Sequence, residues 1–230
     1  MNREAELHYY LKISPNMYGI YLFDTKNLKI LYNQEIIIKE DLNFNNLKKF
    51  LDNNIYKIEK LTGKFVKNIF LILENKNILD VKIGIKKKNY NNFITRECLE
   101  SSLADSKDLF RENYKDEKIM HMIINKYLIN GQSYSSFEDH FKSDYLALEV
   151  QFKSISDRII NELENILENY QIKIIRYIDG NYIKSFCDKE EDLATVCHEI
   201  LNGYNHNEVT LVPKNTKKLA FFEKFFQLFS

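Results

Sequence analysis

Three groups of residues in this chain carry side chains that chemistry can use. Cys187, Cys197-His198 and His206 offer thiols and imidazoles, the usual zinc donors. Asp139-His140 has the make-up of an acid–base pair, and Glu190-Glu191-Asp192 sets carboxylates in a row. None has the spacing its chemistry requires. Zinc modules place cysteine pairs about two to four residues apart, and these cysteines are scattered. Cys197 shares a helical stretch with Leu193, Val196, Ile200 and Leu201, so it reads as core. No nucleophile accompanies Asp139-His140, which falls in a polar loop. The acidic run opens a helix, where negative charge favours the dipole. The expectation is a chain with no catalytic residue, no metal, no cofactor and no enzymatic activity.

The C-terminal segment has a stronger physical signature. Residues 220–229 hold five of the sixteen phenylalanines. At about 100° per residue, Leu219, Phe221, Phe222, Phe225, Phe226, Leu228 and Phe229 share one half of a helix. Lys217, Ala220, Glu223, Lys224 and Gln227 take the other, and Lys218 stands just before the stripe. At ~1.5 Å per residue such a helix is about 20 Å long, too short to span a bilayer. It can lie in a membrane interface with the rings inward and Lys217, Lys218 and Lys224 near anionic headgroups. A terminal helix docked on its own domain has the same pattern, because amphipathicity does not name its partner.

Composition narrows the classes. At 230 residues the chain is one large domain or two small ones and can bury a core without staples. Lys plus Arg and Asp plus Glu each number 33, so no global field draws it to nucleic acid. The run Lys86-Lys87-Lys88 reads as the solvated end of a strand. The start, Met1-Asn2-Arg3-Glu4-Ala5-Glu6, has no apolar signal region. The scattered Cys98, Cys187 and Cys197 fit a reducing cytoplasm.

The elements follow from periodicity. Residues 17–24 and 28–32 read as strands around a turn at Thr25-Lys26-Asn27, with a third at 36–38. Phe44, Leu47, Phe50, Leu51, Ile55, Ile58 and Leu61 keep helical spacing up to Gly63, a C′ residue. The apolar run 69–73 suits a strand buried on both faces. Leu79, Val81, Ile83 and Ile85 alternate with polar residues or glycine, and Thr95 caps a helix through Leu99 and Leu103. Strands at 118–128 and 145–152 flank a polar loop. A helix at 159–170, with Ile159, Leu163, Ile166 and Leu167 on one face, precedes a strand at 172–178 and a turn at Asp179-Gly180-Asn181. Residues 182–186 can pair back, 190–201 are helical, and 209–212 form a last strand stopped by Pro213.

This ordered series resembles the bacterial division protein FtsA, an actin-like family. Tyr21-Leu22-Phe23-Asp24, a turn and Leu28-Lys29-Ile30 are similar to the family's first strand pair, L-D-I-G-S-S-K-I. Ile94-Thr95-Arg96-Glu97-Cys98-Leu99-Glu100-Ser101-Ser102-Leu103 resembles its insert helix. Ile119-Met120-His121-Met122-Ile123-Ile124-Asn125-Lys126-Tyr127-Leu128-Ile129-Asn130-Gly131 resembles its L-H-V-I-P-Q-x-Y-x-V-D-G segment. Tyr145-Leu146-Ala147-Leu148-Glu149-Val150-Gln151 resembles V-R-L-x-A-x-V-H. A membrane-targeting amphipathic tail is also a family trait. In these terms His121 matches the family's own strand histidine and reads as packing.

The resemblance implies an α+β, α/β fold: one actin-like, ribonuclease H-like lobe with a small inserted α+β domain and a C-terminal amphipathic helix. Its parts are an N-terminal tail (1–16), lobe (17–76), insert (77–154), lobe (155–213), then linker and helix (214–230). The family's two glycine-containing phosphate loops have no counterpart: Asp24-Thr25-Lys26-Asn27 lacks glycine, and no D-I-G-G-G-T segment is present. The second lobe is also missing from this sequence, which puts the family's FtsZ contact in doubt. The implied function is a non-catalytic, cytoplasmic adaptor, peripheral on the inner face of the cell membrane. Its partners are bacterial division proteins and the inner-membrane lipid surface, with self-association and no nucleic acid. The alternative is an adaptor of a pilus or secretion assembly resembling PilM, whose terminal helix docks a protein.

Overall fold

The structure, a computed structural model, describes residues 6–38, 44–137, 141–187 and 192–210. Asp139-His140, Glu190-Glu191, the second half of the expected strand 209–212, and the whole linker and phenylalanine helix lie outside the described residues. The described chain divides into two compact units, residues 6–78 with 155–202 and residues 79–154 with 203–210.

The first unit opens with β1 (Leu7–Ser14), β2 (Met17–Asp24) and β3 (Lys29–Ile37), then α1 (Phe44–Thr62) and β4 (Asn68–Leu73). The second unit carries β5 (Leu79–Phe93), α2 (Arg96–Asn113), β6 (Glu117–Ile129), β7 (Gln132–Tyr134) and most of β8 (Lys142–Ser156). The chain then returns to the first unit with α3 (Asp157–Glu168), β9 (Lys173–Asp179), α4 (Gly180–Lys184) and α5 (Leu193–Leu201).

The first sheet runs β3-β2-β1-β4-β9. β1, β2 and β3 are antiparallel neighbours, while β4 is parallel to β1 and β9 is parallel to β4. This is a mixed sheet, with a hairpin series on one side and parallel crossovers on the other, the arrangement expected of one actin-like lobe. α1 buries Leu47, Phe50, Leu51, Ile55 and Ile58 as its period predicts, and Gly63 ends it at φ 67°. α3 buries Ile160, Leu163, Ile166 and Leu167, so Ile160 holds the place expected of Ile159.

The second unit has a four-stranded sheet, β5-β8-β6-β7, with α2 packed on β5. Thr95 caps α2 by accepting from the Cys98 amide at 3.3 Å. The core joins Leu99 and Phe110 of α2 to Met122, Leu146, Val150 and Phe152, with the Phe110 and Phe152 rings stacked 4.7 Å apart. Such a stack adds to plain area burial.

Several expectations need correction. Residues 1–16 are not a tail as a whole, because Leu7–Ser14 is the central strand of the first sheet, paired on both sides. Its buried Lys12 and Ser14 break the apolar pattern that marks an interior strand. The separate strands at 28–32 and 36–38 are one strand, β3. The loop after β6 contains β7, turned by Asn130 and Gly131 at φ 51° and 81°, the pair of positive values a tight hairpin needs. Residues 182–186 do not pair back. Asp179 accepts from the Asn181 amide at 2.9 Å and starts α4 there. The stretch beginning at Val209 is no strand in its described part. Glu208 makes one isolated bridge to Ile123, and Val209 donates to the Met122 carbonyl at 2.8 Å. Residues 203–210 therefore pack in the second unit, short of the expected lobe boundary at 213.

Candidate functional site

Parallel strands of an open sheet end on the same side, and ligands of such sheets sit beyond their carboxyl ends. Here β1, β4 and β9 end at Ser14, Leu73 and Asp179. Lys12 comes from β1, Glu74 follows β4, and Gly180 and Lys184 follow β9. The Glu74 amide donates to the Ile13 carbonyl at 2.9 Å, which sets its side chain beside β1. Lys12 Nζ lies 3.2 Å from Glu74 Oε1, and Lys184 Nζ lies 2.6 Å from Oε2. The Lys12 and Glu74 side chains are 8% and 12% exposed, so water does little to screen that pair. Oε1 makes no aligned hydrogen bond, so its contact with Lys12 is an ion pair rather than a hydrogen bond. Gly180 makes room for the carboxylate arm: a Cβ there would fall 2.5 Å from Glu74 Cγ. The strand ends are thus occupied by the protein's own ion cluster, a carboxylate between two ammonium groups.

The hairpin next to this cluster joins β1 to β2 through Pro15 and Asn16. It, and not Asp24-Thr25-Lys26-Asn27, is the turn of the first strand pair. The Asp24 turn joins β2 to β3, and the Asp24 carboxylate accepts from the Lys26 and Asn27 amides and from Asn27 Nδ2. Those bonds, that of the Asn27 side chain foremost, hold it below the usual carboxylate range. The Pro15-Asn16 turn has no glycine for close approach, and proline has no N–H to offer an anion. Ser14 Oγ already donates to Asn16 Oδ1 and the Met17 carbonyl, both at 3.1 Å.

The cysteine and histidine set does not assemble. Cys197 is fully buried on α5, Cys187 donates to the Ile183 carbonyl at 3.5 Å, and His206 is exposed in the second unit. Among the described residues no group of three or more His, Cys, Asp or Glu is placed to hold a metal ion. His198 instead faces His8, ring centroids 5.5 Å apart, in a cluster with Phe23, Phe70 and Tyr10. Burial holds both imidazoles below their ordinary value, and His198 lowers His8 further, partly opposed by Glu6. A histidine lowered in the fold is protonated first in the unfolded chain. Its stabilisation is complete above the ordinary value of 6.5 and is lost as pH falls through it toward the folded values. Thermal unfolding followed between about pH 7 and pH 5 should therefore show a falling midpoint, and His198→Asn should flatten that slope.

Two functional-looking groups escaped the sequence. Glu74 and Lys184 carry no motif. Glu208 is buried and lies 2.8 Å from His121 Nδ1, so His121 is more than packing: it ties residues 205–209 to β6. A groove of about 720 Å³ along β3 and α1, lined by Gln34, Ile36, Ile38, Lys49, Phe50 and Asn53, presents amides, an ammonium and apolar side chains. No described helix is long and apolar enough to cross a membrane.

No family model matches the chain, and no curated protein does. Solved structures similar to it include the cytoplasmic domain of EpsL, an inner membrane component of the type II secretion system of Vibrio cholerae. That match has 8% identity, a TM-score of 0.38, and covers 81% of this chain and 60% of that one. The PilM–PilN type IV pilus biogenesis complex matches at 7% identity and a TM-score of 0.49, covering 76% of this chain and 48% of the other. A Bacteroides thetaiotaomicron protein with an actin-like ATPase fold and unknown function matches at 11% and 0.33, covering 80% and 56%. The chain thus matches about half to three fifths of the length of these structures.

Proposed function

We propose that this chain is a non-catalytic actin-like adaptor that holds protein partners at the inner face of a membrane, in a pilus- or secretion-type assembly. The observation that carries the non-catalytic part is the filled strand end. Lys12, Glu74 and Lys184 satisfy one another where a ligand of this sheet would sit, and the Pro15-Asn16 hairpin offers no glycine amide. The anchor in this reading is the segment with Phe221, Phe222, Phe225 and Phe226. One short helix binds a bilayer weakly, and self-association multiplies weak contacts by ~10²–10⁴.

The division reading stands second. Its motif series sets the family's first strand pair at Tyr21 to Ile30, which spans β2 and β3 and so starts one strand late. The likeness to EpsL and PilM is one of fold, and experiment decides the assembly. Titration calorimetry of the full chain with Mg·ATP should give no saturable heat. Binding in the micromolar range would return the ATPase reading. Crosslinking in the native cell should recover pilus or secretion components, whereas division proteins in their place would restore the second reading.

A further inference from the structure

We propose that the bulged end of the β5–β8 ladder is a second contact site for an anionic lipid surface, separate from the C-terminal segment. This rests on the membrane-peripheral reading above. The observations come from the two ends of one ladder. Near its start the outward side chains neutralise one another: Lys153 meets Asp80 at 3.0 Å, and Lys82 meets Glu149 at 3.6 Å. At the far end the pattern changes. Lys88 is paired across from Tyr145, and Lys86 Nζ lies 4.2 Å from the centre of the Tyr145 ring. Phe93 is paired across from Lys142, whose Nζ lies 4.7 Å from the Phe93 ring. Lys87 takes the opposite face, on Asp105 and Ser101 of α2, and leaves the other lysines to this end. Among the described residues, the acidic one beside Lys142 and Tyr145 in sequence is the exposed Asp144.

Between the two pairings the register shifts, from Lys88 to Asn92. Tyr90 and Asn91 turn at φ 52° and 56°, a left-handed conformation rare for a tyrosine. Asn89 Nδ2 closes the bulge by donating to the Asn92 carbonyl at 2.6 Å and the Ser143 carbonyl at 3.0 Å. The outcome is an aromatic ring held out in solvent: Tyr90 is 76% exposed, beside Phe93 at 54% and Tyr145 at 42%. Strained backbone that displays a large ring is a mark of a contact surface. Exposed aromatic rings interleaved with lysines are the composition that settles at headgroup level, rings in the interface and ammonium groups on the anionic layer.

The test is cosedimentation of the full chain with vesicles of phosphatidylcholine alone and of phosphatidylcholine mixed equally with phosphatidylglycerol. Lys86→Gln, Lys88→Gln and Lys142→Gln together should cut partitioning onto the anionic vesicles by about 100-fold. Tyr90→Ser should weaken binding with the lysines intact. Lys82→Gln with Lys153→Gln, at the other end of the ladder, should bind as the parent does. Unchanged binding of the triple variant overturns the proposal, as does an equal loss in the control pair. So does a triple variant that keeps its vesicle binding while losing an acidic peptide or RNA. Circular dichroism confirms that each variant is folded. The same triple change in a chain already carrying Phe222→Glu and Phe226→Glu separates the two sites. Residual binding lost only on adding it belongs to this patch, and equal binding with and without the phenylalanines removes the anchor instead.

Discussion

Glu74→Ala will cost about 3–5 kcal/mol of folding stability, among the larger losses open to a single side chain that touches no apolar core. The reason is the charge left behind. Lys12 sits on the central strand with its side chain 8% exposed, and Glu74 is its carboxylate partner at 3.2 Å. Remove that partner and an ammonium stays in a poorly solvated place with nothing opposite it. Lys184, 48% exposed at the side chain, can swing into water and adds little to the loss. The double change Lys12→Met with Glu74→Leu removes both charges and keeps the volume, so it should fall within about 1–2 kcal/mol of the parent. Chemical denaturation of the three proteins measures this. A loss under about 1 kcal/mol for Glu74→Ala would mean that water reaches the cluster and the strand ends are open.

Phe222→Glu combined with Phe226→Glu will release most of the protein from anionic vesicles while leaving the rest folded. Each phenylalanine withdrawn from an apolar phase loses roughly 1.5–3 kcal/mol of burial, and each added carboxylate is repelled by the same surface. Two such changes exceed what one short interfacial helix can spare. The same double mutant distinguishes the alternative in which this segment is a core helix. Vesicle cosedimentation and circular dichroism are run together. Binding lost with an intact spectrum supports the anchor. Binding lost only because the spectrum collapses gives the segment to the core and sinks the membrane reading.

Elements whose signal is local are legible in the sequence. α1 has its 3.6-residue stripe and a glycine where the chain must turn left-handed. α2 has Thr95 at its start, and β4 has a continuous apolar run that lies inside the sheet between β1 and β9. Each is set by residues a few positions apart, so the sequence alone carries it. The failures share one physical cause. β1 did not read as a strand because Lys12 and Ser14 look like loop residues until Glu74, brought back by the crossover through α1 and β4, supplies the opposite charge. α4 did not read as a helix because Asp179-Gly180 is a turn signal. It is a helix start because the Asp179 carboxylate caps the Asn181 amide, and the glycine stands there because a Cβ would meet Glu74 Cγ.

The sequence by itself determined the α/β character and the helix boundaries at Gly63 and Thr95. Only the tertiary structure decided which hairpin is the first one, and with it where the division-type motif series goes out of step. It also decided that the parallel strand ends are filled by Lys12, Glu74 and Lys184, and that His121 is held by Glu208. Periodicity and capping act over one or two turns of backbone, so neighbouring residues record them. Ion partners drawn from strands and helices far apart in the chain are chosen by strand order and crossover path, and no short stretch of sequence records those.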